Sequence, residues 1–551
     1  MTIPAFNPIQ NQQVNIEKGP LVLKQGQVFH GSVKQLYPGQ LAEIQIGEHR
    51  LVAKLETPLK VGDSHFFQVV NISPEAQLKV VSGPVSGASQ LNIQQLIESL
   101  NLPKSLEMQQ IVSLFLKEQL SISKEQMLQA ENWLKNLPEG ASKKEALLAL
   151  QKLAQLKIPF SEETFKALLF GSQTTGISRN LEQLINLLEQ NNQISPQVKL
   201  NLLNQLQSIA NPFEAETAGV IISRAIQTLL SGAQEAEKQQ ALQMLKEANI
   251  LPRDTNLNSW LNTSFNRISS NNETTGHVIQ QLRSGSSIID TIKWINNEST
   301  LSNEQKNTLI QMINSFNGSK SQPVELLAKQ LHVQLLKAYS DQSVSQLFSK
   351  GHFTAKEQLL TLLKPNIHLE NADMELQSIK RLLNASEHQG TQRLVAEGNA
   401  LIQSAMNSQG ILKGLQSTLE SLGLSYEAAM NKQVDIEKIT QSLKPQLLSL
   451  LQDTSTPTEL KNVAETLLAR LNGMQLLSGE NGHQHQIVMQ IPLQFLGKQV
   501  DATVQWNGRM KDDGKIDSDF ARILFYLNME TLKETVIDMQ VQNRIVTIHV
   551  Y

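Results

Sequence analysis

Apolar residues in this chain recur at every second position near both ends and at helical spacing in between, so two switches of period partition the fold. Between residues 19 and 83, Ala42, Ile44 and Ile46 alternate with Glu43 and Gln45. Leu51, Ala53 and Leu55 alternate with Val52 and Lys54 beyond the turn Gly47-Glu48-His49. Successive side chains on a strand face opposite ways, so this pattern predicts a hairpin. Val28 to Val33 precedes it, and Phe66 to Val70 and Leu78 to Val81 follow it, separated by Pro- and Gly-containing turns. Short strands so punctuated predict a small β-barrel over 19–83.

From residue 91 to 478 the period is helical. Leu96, Ile97 and Leu100 share one stripe, as do Leu309, Ile310, Ile313 and Phe316. Ser123-Lys124-Glu125-Gln126 and Ser302-Asn303-Glu304-Gln305 read as capping boxes, in which two side chains satisfy free backbone N–H groups reciprocally. Ser195-Pro196 places proline where a first-turn N–H has no partner to lose. Apolar-Pro pairs recur at uneven spacing and heptads are not sustained, so neither a solenoid nor one long coiled coil is expected. The polar stretch 254–275 predicts a hinge between helical regions 91–253 and 276–478. Residues 1–18 read as a flexible tail and 84–90 as a linker. Beyond 479 the period returns to two: Ile487, Met489 and Ile491; Val500, Ala502, Val504 and Trp506; Ile523 to Leu527; Val536 to Val541; Ile545 to Val550. The fold class expected is therefore multidomain and mainly α. It comprises an N-terminal small β-barrel, a long all-α middle region of short helices, and a small strand-rich α+β domain over 479–551.

The 551 residues carry 48 Lys+Arg against 51 Asp+Glu, a net charge of −3, which disfavours a surface devoted to phosphates. No cysteine is present, so disulfides, thiolate nucleophiles and Cys-ligated metals are excluded. The start Met1-Thr2-Ile3-Pro4 lacks the basic and apolar run of a cleaved signal, and no stretch has the length of a membrane span. A cytoplasmic chain is expected, with any export needing no cleaved signal.

No nucleotide-loop, dinucleotide, zinc-protease or nucleophile-elbow motif occurs, and no enzyme activity, metal or cofactor is expected. His483 and His485 stand two apart, as metal ligands on a strand do, but no third ligand follows closely, so a solvated loop is the reading. Asp512, Asp513, Asp517 and Asp519 lack the spacing of a calcium loop. His30, His49 and His65 are expected at the barrel surface. Phe29, Phe66 and Phe67, with Lys24, Lys34, Arg50 and Lys54, offer stacking platforms and bases for an alternative function, a nucleic-acid-binding scaffold. Glu43, Glu48, Glu56 and Asp63 cancel those bases.

The segment Leu527-Asn528-Met529-Glu530-Thr531-Leu532-Lys533, followed by the apolar strand residues Val536, Ile537 and Val541, resembles the C-terminal domain of the bacterial flagellar hook-length control family. That family's core is L-x-P-E-x-L-G. Leu527, Glu530 and Leu532 match it, Met529 replaces its proline, and Lys533 replaces its glycine. The match covers the last 65 residues or so; the remainder agrees in layout with hook-length control-like proteins of Gram-positive bacteria. The family's domain usually continues with a helix and a further strand that this sequence does not show.

The resemblance implies a non-enzymatic protein that senses hook length, switches type III export specificity, or does both. Its partners would be the cytoplasmic domain of the export gate's switch component and, further, hook or hook-cap subunits. It would act as a monomer, in the cytoplasm or exported through the flagellar apparatus. Leu527, Glu530, Leu532, Val536, Ile537 and Val541 are the partner-binding residues this implies. A middle region of about 390 residues would reach roughly 1300 Å if fully extended.

Overall fold

The computed structural model describes residues 23–73, 75–81, 90–138, 140–156, 158–173, 176–268, 274–284, 288–317, 323–349, 353–424, 426, 440–481, 484–495, 498–511, 516–529 and 532–551. The expected tail 1–18 and most of the linker 84–90 lie outside these residues, as do His483, Asp512, Asp513 and Glu530. The chain is multidomain and mainly α, with a strand barrel first and a strand-rich end. Contacts divide it into two units: residues 1–203 with 422–492 and 500–551, and residues 204–421 with 493–499.

The first unit begins with β1 (Gln27–Tyr37), β2 (Leu41–Ile46), β3 (His49–Leu55), β4 (Ser64–Asn71) and β5 (Gln77–Val80). Their order is β2-β3-β5-β4-β1, and β1 also pairs with β2, which closes the barrel. β3 and β5 run parallel while the other pairs among these five are antiparallel. The result is a closed five-stranded barrel. Phe29, Val33, Ile44, Phe67 and Leu78 fill the interior. A Cβ on Gly31 would stand 2.6 Å from the Ile44 side chain, so only glycine allows β1 to approach β2 there.

β1 and β4 are apolar on both faces because helices cover the barrel's outside. Val28 and Phe66 point away from the interior into a cluster with Leu96, Ile111, Phe115 and Ile122. β6 (Ile122–Ser123) adds to β1, and Ser123 then caps the helix Lys124–Lys135 in the predicted reciprocal box with Gln126. Trp133 stacks between Phe160 and Phe165, each ring 5.0 Å away. The helices Glu162–Gly171 and Thr458–Leu476 cross with backbones in contact: a Cβ on Gly473 would lie 2.1 Å from the Ala167 carbonyl oxygen, and one on Gly171 2.6 Å from the Gly473 Cα.

The second unit packs helices around Glu214–Leu230, whose Ala218, Ile222 and Ile226 join Leu331, Leu335 and Tyr339 of the helix Val324–Ser345. The stretch 254–275, expected as a hinge, lies inside this unit and contributes to its core. It contains the helix Trp260–Asn266 with Trp260 and Phe265 buried. Its asparagines turn the chain instead: Asn256 Oδ1 accepts from the N–H groups of Asn258 and Ser259. Lys356, 6% exposed, pairs with Asp373 and Glu357 and lies 3.9 Å from Glu216, which also takes Lys413 at 2.6 Å. Burial alone would lower the Lys356 pKa, but these carboxylates outweigh it and hold the group charged.

Apart from residues 493–499, the C-terminal sheet belongs to the first unit. β7 (Gly479–Asn481), β8 (Gln484–Phe495), β9 (Lys498–Met510), β10 (Ile516–Met529), β11 (Lys533–Gln542) and β12 (Ile545–Val550) lie in sequence order. The β11–β12 connection is two residues long, Asn543 and Arg544, at φ 50 and 67. Both lie in the left-handed region, the geometry that matches the twist of a tight hairpin.

Candidate protein-docking face

Register assigns each side chain of the C-terminal sheet to a face. Ile523 lies opposite Trp506 on β9 and Met539 on β11; Phe525 lies opposite Val504 and Ile537; Leu527 lies opposite Ala502 and Thr535. Val541, Met539 and Ile537 in turn lie opposite Val546, Ile548 and Val550. Residues opposite one another share a face, so one apolar face runs across β9, β10, β11 and β12. The other face carries the sheet's polar pairs beside Leu524, Tyr526 and Val536: Arg522 donates to both carboxylate oxygens of Asp538 at 3.0 and 2.9 Å, and Gln540 lies opposite Thr547. The Arg522 contact holds the Asp538 carboxyl below its ordinary value and raises the guanidinium.

The helices of the unit anchor this sheet at its β8–β9 side. Ser178 donates to Asp501 from its hydroxyl at 2.6 Å and from its N–H at 3.3 Å, and Gln490 donates to the Gln173 carbonyl at 2.5 Å. Arg470 reaches the Gly176 carbonyl at 2.9 Å and Gln173 Oε1 at 2.7 Å. Burial raises Asp501 and pulls Arg470 down to about 10. Away from this anchor the cover runs out. Ala502 and Trp506 are buried, Ile523, Phe525, Ile537 and Met539 are half-buried, and every residue of β12 is exposed. Exposed apolar surface joined in this way is a candidate for contact with another molecule.

The residues expected from the sequence divide over this sheet. Leu527, Ile537 and Val541 share the apolar face. Val536 lies opposite Tyr526 on the other face, and Leu532 stands at the β10–β11 connection, 67% exposed. Glu530 lies outside the described residues. Lys533, where the resembled motif has glycine, takes φ 59, the backbone region that glycine favours. Ile523, Phe525, Met539, Ile548 and Val550 were not singled out from the sequence. The alternation of β12 was legible, but only pairing shows which side continues β11.

The barrel provides no stacking platform in Phe29, Phe66 or Phe67, which are 1%, 2% and 0% exposed. Interior and helical layer cover them from opposite sides. On the β2–β3 exterior, Glu43 accepts from Arg50 at 3.0 Å and from the Tyr37 hydroxyl at 3.2 Å, so the charge there is internally paired. His65, expected at the surface, is 4% exposed; His30 is half-buried, and burial lowers its pKa. Among the described residues no group of three or more His, Asp or Glu converges as a metal site, and no helix is long and apolar enough to cross a membrane.

Comparison with known proteins adds a partial relative. No family model and no solved structure matches the chain. Over 108 residues it is 36% identical to the uncharacterized protein YlqG of Bacillus subtilis (strain 168), covering 20% of this chain and 19% of that protein. The chain thus aligns with about a fifth of the length of this curated relative.

Proposed function

We propose that this chain is a non-enzymatic, flagellar hook-length control-like protein whose C-terminal sheet docks on the switch component of the export gate. The observation that carries the reading is the apolar face formed by Leu527, Ile537, Val541 and their neighbours, which stays open to solvent on β12. The Leu527–Lys533 motif supports it as well, because Lys533, where the family has glycine, takes a backbone that glycine favours. On this reading the docked chain redirects secretion from hook to filament subunits. The helical part would report hook length through contacts with hook or hook-cap subunits, in the cytoplasm or during export. The nucleic-acid alternative gains no observation of its own, since its aromatic residues are buried and its arginine is paired.

Co-purification of the full chain with the cytoplasmic domain of an export-gate switch protein tests the proposal. The intact chain should retain that domain, and a chain lacking residues 480–551 should not. Equal recovery by both would end the reading.

A further inference from the structure

β12 is last in the sheet order, so one side of its backbone has no neighbouring strand among the described residues. Val536 and Tyr551 exchange both backbone hydrogen bonds, at 3.1 and 2.9 Å. In an antiparallel pair such exchanges recur at every second residue. With Asp538 opposite His549 and Gln540 opposite Thr547, the odd-numbered residues of β12 direct their N–H and C=O groups to β11. Val546, Ile548 and Val550 therefore direct theirs outward. Their side chains, 52%, 57% and 64% exposed, also form the rim of the apolar face. Edges of this kind are normally blunted by charge, proline or a bulge. Residues 545–551 contain no Asp, Glu, Lys, Arg, Pro or Gly.

We propose that this edge pairs with the same edge of a second copy of the chain, antiparallel about a two-fold axis at Ile548. A two-fold contact needs a patch complementary to itself, and β12 is one. In this register Ile548 meets Ile548, and Val546 meets Val550, so the apolar face continues from one sheet into the next. On the polar face Thr547 meets His549 and Ile545 meets Tyr551, which keeps the two His549 rings apart. The ends agree in charge as well. The exposed pair Arg544–Asp519 stands at one end of the hairpin, and Lys533 and Glu534 at the other. Antiparallel docking brings Arg544 of each copy to the end of the other that carries Glu534, whereas parallel docking would set Arg544 beside Arg544. The two six-stranded sheets then form one continuous sheet. The resemblance implies a monomer; the edge becomes visible only once strand order is known. This pairing does not depend on the export-gate reading, and it leaves the broad apolar face free.

The absence of cysteine makes the register directly testable on the full-length chain. Ile548→Cys places a lone thiol on the proposed axis, and air oxidation should link most of the protein into a covalent dimer. Leu532→Cys, at an exposed site off the axis, should stay unlinked. At tens of micromolar, light scattering should give twice 61.4 kDa for the unaltered chain. Ile548→Pro removes an outward N–H and should give the monomer mass with unchanged circular dichroism. A monomeric unaltered chain at that concentration, a dimer that survives Ile548→Pro, or equal linking at both cysteines would overturn the proposal. So would a monomer that instead captures an extended peptide along β12.

Discussion

At the scale of single residues, the chain departs from the motif it resembles at a position whose backbone lies in the region that glycine favours. Lys533 sits at φ 59 with its side chain exposed. A residue with a Cβ costs roughly 1–2 kcal/mol in that region, and glycine's greater unfolded freedom offsets about half. Lys533→Gly should therefore stabilise the chain by about 0.5–1 kcal/mol, read as a higher midpoint in denaturant. An unchanged or lower midpoint would mean that the lysine side chain contributes something its exposure does not suggest. Single residues also mark what the sequence could not disclose. Phe66 and Phe67 are adjacent and both buried, because β4 lies between the barrel interior and a helical layer. Alternation tells which two sides a strand has; it does not tell that both are covered. Lys356 is likewise invisible as a core residue until Glu216, Glu357 and Asp373 are seen around it.

At the scale of elements, much was legible where local rules act alone. The hairpin β2–β3, the capping boxes at Ser123 and Ser302, and Pro196 at the start of its helix follow from spacing and cap chemistry. β10 was legible only as Ile523 to Leu527, yet it spans Ile516–Met529. Spacing cannot show that Asp519 belongs to the strand, because its partner Arg544 lies on the β11–β12 turn. Helix crossings were not legible either. Nothing local marks Gly171 and Gly473, far apart in the sequence, as one contact. Gly473→Ala drives a methyl group into the Ala167 carbonyl, and overpacking of this kind costs about 1–3 kcal/mol. Thermal unfolding should show the loss, and an unchanged melting temperature would mean that the two helices do not cross there.

At the scale of the whole molecule, a buried histidine makes the stability of the second unit respond to pH. His332 in the second unit is 0% exposed, its Nε2 lies 3.0 Å from the Ser264 hydroxyl, and burial pulls its pKa from 6.5 down to about 3. The unfolded chain therefore binds a proton at this side chain below about pH 6.5 while the folded chain does not. Stability is fully present above that pH and is lost as pH falls toward 3, by up to about 1.4 kcal/mol per pH unit. His332→Leu should flatten the pH dependence of stability between pH 6 and 4, and hydrogen exchange should place the difference in residues 204–421. An unaltered slope would contradict the assignment.

The docking face was half legible: period two marked the strands, and the resemblance marked Leu527, Ile537 and Val541. The rest required strand register, which follows from pairing and not from spacing. The most direct test is the affinity of purified full-length protein for the cytoplasmic domain of an export-gate switch protein, measured by calorimetry. Ile537→Lys with Val541→Lys places two charges on the apolar face, and Gln540→Lys with Thr547→Lys places two on the polar one. The first pair should abolish binding, the second should leave it within about threefold, and both should keep the fold by circular dichroism. Equal binding by all three proteins, or no binding by the unaltered chain, would contradict the proposed role of the sheet.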